Sequence, residues 1–173
     1  MRIQTRIDKI TNSVEERETG ISLETRVLPL AMHELRAITK KNGWKFNWRV
    51  EALHKEKIVY KLIISADPDR IEGLISISIE EGFIFMHLLE SAPDNIGRKK
   101  KYMGVPGNLV AFVCKLSFEY GFDGEVAFDS KTALISHYKK TLGAVLLFPP
   151  KRMAILSAQA GKLVNSYYKD FGI

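Results

Sequence analysis

Two adjoining apolar runs constrain the architecture more tightly than any other part of this 173-residue chain. In the first, Ile71 to Ile79, the residues Ile75, Ile77 and Ile79 alternate with Ser76 and Ser78. That period of two belongs to a strand with one buried face. Glu81-Gly82 follows as a tight turn. The second run, Phe83 to Leu89, is apolar on both faces apart from His87, the pattern of a central strand covered from both sides. An antiparallel hairpin whose second strand is central requires a larger sheet around it.

The flanking segments supply that sheet. Leu23 to Leu30 and Lys57 to Ser65 read as strands, separated by a helix over Ala31 to Lys41 with Met32, Leu35 and Ile38 inward and a stop near Gly43. Trp44, Phe46 and Trp48 alternate as an extended wall, a piece of core or the lining of a site, and Asp67-Pro-Asp69 is a turn. After the hairpin come a helix from Asn108 to Tyr120 ended by Gly121, a strand from Gly124 to Asp129, and a helix from Thr132 to Leu142 stopped at Gly143. Strands over Ala144 to Phe148 and Arg152 to Leu156 precede a last helix capped by Ser157, with Ala160, Leu163, Val164, Tyr167, Tyr168 and Phe171 on its apolar face. The helix between the central strand and the next one demands a parallel crossover. The expected class is therefore α/β, a central mixed sheet with helices on both faces, over residues 21 to 173. Residues 1 to 20 read as a separate amphipathic helix, with Ile3, Ile7, Ile10 and Val14 in a stripe and Gly20 at its end, docked on its own domain or joining a homodimer.

Charge narrows function only slightly. The formal net charge of +6 suits an anionic partner, nucleic acid or a polyphosphate, but apart from Arg98 to Lys101 the cations are dispersed. No apolar run is long enough to span a bilayer, and no signal-peptide pattern opens the chain. The single Cys114 cannot form an internal disulfide, which suits a reducing cytoplasm. Within a helix and without an activating base, it reads as a core filler rather than a nucleophile. No metal-ligand spacing is present.

Chemistry concentrates after the hairpin. In Lys101-Tyr-Met-Gly104-Val-Pro-Gly107-Asn-Leu109-Val, cations run into two glycines and a helix start. Unpaired N–H groups and the partial positive charge of a helix N-terminus make an anion site. Glycine permits close backbone approach and lysines add mobile charge. The segment is either a pyrophosphate cradle or a solvated basic loop with an ordinary cap.

The order of a strand ending in Glu90, this loop, a helix, a strand and a helix carrying Tyr138 resembles the GNAT superfamily of acyl-CoA-dependent N-acyltransferases. That family's loop has Gln or Arg, two residues, Gly, one residue, then Gly or Ala. Lys101, Gly104 and Pro106 stand at those places, and Leu109 where the helix packs on the sheet. The resemblance implies a GNAT-like fold and direct transfer of an acetyl group from acetyl-CoA to an amine on a small molecule or peptide, with no membrane or nucleic-acid partner. It implies that Lys99, Lys101, Tyr102, Gly104, Val105, Gly107 and Asn108 hold the phosphates. The backbone at Leu89 and Ser91 would pair with the amide arm, Lys131 stands where the family has Asn, and Tyr138 protonates the leaving thiolate. Glu90 is the implied general base. Pro106, which has no N–H, Lys131, and a Tyr138 one residue farther than usual from Gly143 depart from the family pattern.

The residues also admit plainer readings. Glu90 can be a strand-end carboxylate paired with the lysines, Tyr138 a core aromatic, and His87 either a satisfied core histidine or a second base. Asp94 and Asn95 form a turn or touch the acceptor. Acceptor contacts are expected from Trp44 to His54, with Glu51 drawing an ammonium group, from Asp94 to Arg98, and from Pro149 to Arg152. A nucleic-acid-binding or ribosome-associated module, and a GNAT-like protein that binds acyl-CoA without catalysis, are the competing functions.

Overall fold

The computed structural model describes residues 13–168 and 171. Nine strands among them form one sheet. In chain order they are β1 (Ser13–Glu16), β2 (Ser22–Pro29), β3 (Ile58–Ile64), β4 (Gly73–Ile79), β5 (Ile84–Ser91), β6 (Tyr102–Met103), β7 (Val126–Asp129), β8 (Val145–Phe148) and β9 (Arg152–Ile155). The spatial order is β6-β1-β2-β3-β4-β5-β7-β9-β8. Every pairing is antiparallel except β5 with β7. That parallel pair is bridged by the helix α2 (Val105–Glu119), as a crossover requires.

The helices divide between the two faces. On one, α2 and the last helix, α4 (Ser157–Tyr167), cover a core built from Ile75, Ile77, Ile84, Met86, Leu109, Val113, Val126, Met153, Leu163 and Val164. The helix α3 (Ile135–Leu142) adds Leu142, Ile135 and Tyr138 to it. Gly107 has no side chain because a Cβ there would meet Tyr167 Oη at 2.5 Å, so this glycine lets α2 and α4 close together. On the opposite face a smaller core of Leu35, Ile38, Trp44, Trp48, Val59, Leu74 and Ala92 packs beneath the short helix α1 (Trp48–Leu53).

The hairpin, the crossover and the class follow the sequence expectation. Four details do not. Of the expected N-terminal helix, residues 1–12 lie outside the described residues, and Ser13–Glu16 is a strand with Val14 fully buried. It pairs with both β2 and β6, so the boundary expected after residue 20 falls inside the sheet. The helix expected over Ala31 to Lys41 is instead two 3₁₀ turns, Met32–Ala37 and Lys40–Asn42, the second capped by Thr39. The serines of β4 are not on a solvated face: Ser76 and Ser78 are both buried. Ser157 is the first helical residue of α4 rather than its cap.

Candidate active site

The sheet opens in one place. β7 pairs with β5 only through Ile84↔Val126, Phe85↔Ala127 and Met86↔Phe128. Beyond Met86, β5 runs on to Ser91, whereas β7 ends at Asp129. The two parallel strands therefore form a fork, and the side of β5 over residues 87–91 that would face β7 has no ladder partner among the described residues. Unpaired main-chain groups at such a gap are free to bind an amide-bearing ligand. Gaps at the carboxyl ends of parallel strands are where open sheets bind ligands.

A bulge in β5 adjoins the fork. Ser76 stands opposite Leu88 and Ile77 opposite Met86, which leaves His87 as the extra residue. Bulges bend a strand and re-aim a side chain. Ile84 and Met86 face the α2 core, and so does Leu89, whereas Leu88 packs on the α1 side. Because Leu88 and Leu89 are both apolar, nothing in the sequence signals this change of parity.

The start of α2 lies next along the chain. Gly104, at φ +91°, precedes the helix, and no heavy atom lies within 4 Å of the place a Cβ would take. Asn108 N–H is bonded to Gly104 O at 3.0 Å. The N–H groups of Gly104, Val105 and Gly107 precede that first rung of the ladder, and Pro106 has none to give. The 15-residue helix directs its dipole to this end.

The residues singled out from the sequence separate into groups. Lys99 and Lys101 are exposed beside this helix start, with Lys101 Nζ 5.2 Å from the Tyr102 ring centre. Leu89 and Ser91 lie on the unpaired stretch of β5. Three expectations for the cradle change. Asn108 is fully buried, with Nδ2 donating to Thr25 Oγ1 at 2.8 Å and its N–H inside the helix, so it faces the core rather than an anion. Tyr102 is buried and its N–H donates to Asn95 Oδ1. Gly107 keeps its N–H, but its small size serves α4. Lys131 is exposed ahead of a 3₁₀ turn, and neighbouring Ser130 spends its hydroxyl on Lys131 O.

Glu90 occupies a place unlike either reading of the sequence. It is 5% exposed, and its carboxylate accepts from Lys45 N at 2.6 Å, Phe46 N at 3.2 Å and Trp48 Nε1 at 2.8 Å. Main chain and an indole, not lysines, satisfy it. Charge-assisted bonds of this kind hold a loop in place, and here they bind the aromatic segment to β5. Glu51 is also occupied: it is buried against Lys57 Nζ at 3.1 Å and Ser76 Oγ at 2.6 Å. Asn95 holds Glu72 and Asp94 holds Arg70, so both act as loop-formers.

Tyr138 meets Phe128 edge-on, with ring centres 5.3 Å apart, on the α2 side of the β5–β7 pair. Burial raises its phenol above the usual value, so it holds its proton at neutral pH. Cys114 is fully buried and its thiol is pushed up to about 12, which removes it as a nucleophile.

On the other side of the sheet a polar row crosses β4 and β5. Ser78 Oγ lies 2.7 Å from His87 Nε2 and 2.6 Å from Glu80 Oε1. The rings of His87 and Phe85 are 4.8 Å apart, and the Arg152 guanidinium sits 4.8 Å above Phe85. Arg152 Nε donates to Asp129 Oδ1 at 2.6 Å, and this bond holds the Asp129 carboxyl below its ordinary value. An apolar cavity of about 180 Å³ continues this face, lined among others by Phe83, Ala127, Leu147, Phe148 and Arg152.

The nine-stranded mixed sheet with its crossover helix is a GNAT-like fold, shared with solved N-acetyltransferase structures. The chain aligns with spermidine N-acetyltransferase SpeG from Vibrio cholerae in complex with CoA and spermine at 15% identity and a TM-score of 0.56, covering 79% of this chain and 97% of that one. It aligns with nourseothricin acetyltransferase at 13% identity and a TM-score of 0.51, covering 76% and 97%. No protein-family model and no curated protein matches the sequence.

Proposed function

We propose that this protein is an N-acetyltransferase that takes acetyl-CoA as donor and transfers its acetyl group directly to an amine. The observation that carries the reading is the fork beyond Met86, opening beside the free N–H groups that begin α2. A pantetheine arm needs main-chain partners, and the unpaired edge of β5 over residues 87–91, including Leu89 and Ser91, offers them. A diphosphate needs N–H donors and cations, and Gly104, Val105, Gly107, Lys99 and Lys101 supply these. The open space at Gly104 fits close approach by such a group, and three N–H donors remain despite Pro106.

Acetyl-CoA brings an activated acyl group; the chain orients it and manages protons. Tyr138, held protonated by burial beside the fork, is the donor to the departing sulfur. Direct transfer needs no enzyme nucleophile, which fits a Cys114 that burial keeps as a thiol. The aligned spermidine N-acetyltransferases act, by name, on an amine, which supports an amine acceptor here. A lone, buried cysteine suits a cytoplasmic setting. Among the described residues, no helix is long and apolar enough to cross a membrane.

The test is thiol release from acetyl-CoA by the purified protein with a panel of primary amines: spermidine, an arylalkylamine, an aminoglycoside and a lysine-containing peptide. Turnover that requires an amine supports the assignment. Failure to bind acetyl-CoA at high micromolar concentration removes it.

A further inference from the structure

The acetyltransfer reading leaves the proton acceptor unassigned, because the three donors on Glu90 occupy the carboxylate expected to take that role. We infer that His87 is the general base, oriented through Ser78 by Glu80. The inference rests on the proposed function and adds a catalytic residue to it.

Three observations converge on His87. First, it is the bulged residue of β5, immediately after the last pair with β7, so the bulge and the fork coincide at one position. Second, its proton arrangement is fixed by its neighbours. The Ser78 hydroxyl has one proton, and it lies within hydrogen-bond distance of both Glu80 Oε1 and His87 Nε2. A carboxylate only accepts, so the hydroxyl proton goes to Glu80. Nε2 must then carry a proton and donate it to Ser78 Oγ, which puts the imidazole lone pair on Nδ1. Among the described residues no group is hydrogen-bonded to Nδ1. Third, the ring is half-buried beside Phe85 and the polar row, on the side of the sheet opposite Tyr138, so the two proton-handling groups lie on opposite faces of the strand that borders the fork.

The charges around the ring favour the neutral base. Burial lowers the imidazole below its ordinary value, with Lys57 and His54 acting in the same direction, while Glu51 and Glu80 oppose them. A group with a lowered value is neutral at pH 7 and needs no activation before it accepts a proton. When it does, the Nε2–Ser78–Glu80 chain stabilises the imidazolium.

The step balances. The acceptor enters as free amine. Its lone pair bonds the acetyl carbonyl carbon while Nδ1 takes one N–H proton. The C–S bond breaks with its electron pair on sulfur, which takes the Tyr138 proton. The imidazolium returns a proton to the phenolate through solvent, leaving amide and thiol.

The experiment compares wild type, His87→Gln, Ser78→Ala and Glu80→Gln by acetyl-CoA calorimetry, by thiol release with the amine panel, and by ¹⁵N-histidine spectra. His87→Gln is expected to bind acetyl-CoA as wild type does and to lose about 100-fold in amine-dependent kcat. The rise of kcat/KM with pH through a value below ~6.5 disappears in that variant. Glu80→Gln removes a charge that favours the imidazolium, so this limb moves to lower pH, with the acetyl-CoA KM unchanged. Wild-type spectra show the Nε2–H tautomer, and Ser78→Ala weakens that preference. Unchanged turnover and pH profile in His87→Gln, an Nδ1–H tautomer in wild type, or tight acetyl-CoA binding with no panel amine acetylated each overturn the assignment of His87. Loss of acetyl-CoA binding in the wild type instead overturns the acetyltransferase reading itself.

Discussion

The two halves of β5 belong to one strand and lead different lives. Ile84 to Met86 is hydrogen-bonded to strands on both sides and buries alternate side chains in the α2 core. From His87 to Ser91 the strand keeps β4 and loses β7, and its side chains become His87, which holds Ser78, and Glu90, which holds an aromatic loop. The first half is structure that any central strand would show. The second is where main-chain groups are left without a ladder, and only there does the strand place polar side chains. The lesson is that the sheet makes its site by ending a pairing early, and that His87 and Glu90, past that point, divide the work. Glu90 fixes the wall, and His87, among the described residues, has no hydrogen bond at Nδ1.

Four substitutions test this contrast. Trp48→Ala removes a fully buried indole from the smaller core and is expected to lower the unfolding free energy by roughly 3–5 kcal/mol in urea titrations. Glu90→Gln puts an amide donor among three N–H donors and should lose about 2–3 kcal/mol of stability. Any folded Glu90→Gln protein should keep its turnover within a few fold of wild type. A loss near 100-fold in kcat with stability intact would return the base role to Glu90. Gly104→Val forces a branched side chain into a left-handed conformation costing about 1–2 kcal/mol and obstructs the open side of the helix start. Calorimetry should show acetyl-CoA affinity falling roughly tenfold. Tyr138→Phe keeps the edge contact with Phe128 and removes only the phenol proton, so kcat should fall by less than about tenfold with KM for acetyl-CoA unchanged.

Much of the frame was legible because it is local. The hairpin announced itself by period two and Glu81-Gly82, and the crossover helix by the glycines before and after it. α3 was marked by its inward Leu142 and by Gly143, which takes the left-handed conformation. What escaped notice depends on distant partners. β1 has four residues, and its place is set by β2 and β6, the latter 88 positions away at Glu15↔Met103. The donors on Glu90 are separated from it by 42 to 45 positions, and no spacing rule connects them. Asn108 was expected to hold a phosphate because it stands at a glycine-rich helix start, yet its partner Thr25 lies on β2, 83 positions away. Within the site, the glycine-rich helix start was visible in the sequence, whereas the fork was not, since the early end of a pairing leaves no residue signature. The bulge left none either: Leu88 and Leu89 are both apolar, and only the packing shows that Leu89 resumes the face of Met86.

The account stands or falls on a ligand entering the gap between β5 and β7, and titration of acetyl-CoA into ¹⁵N-labelled protein probes that gap directly. The expected result is saturable shifts concentrated at the amides of residues 87–91 and of Gly104, Val105 and Gly107, with those of the doubly paired stretch Ile84–Met86 nearly unmoved. Saturable binding whose shifts lie elsewhere, or no shifts at all at high micromolar donor, would contradict it.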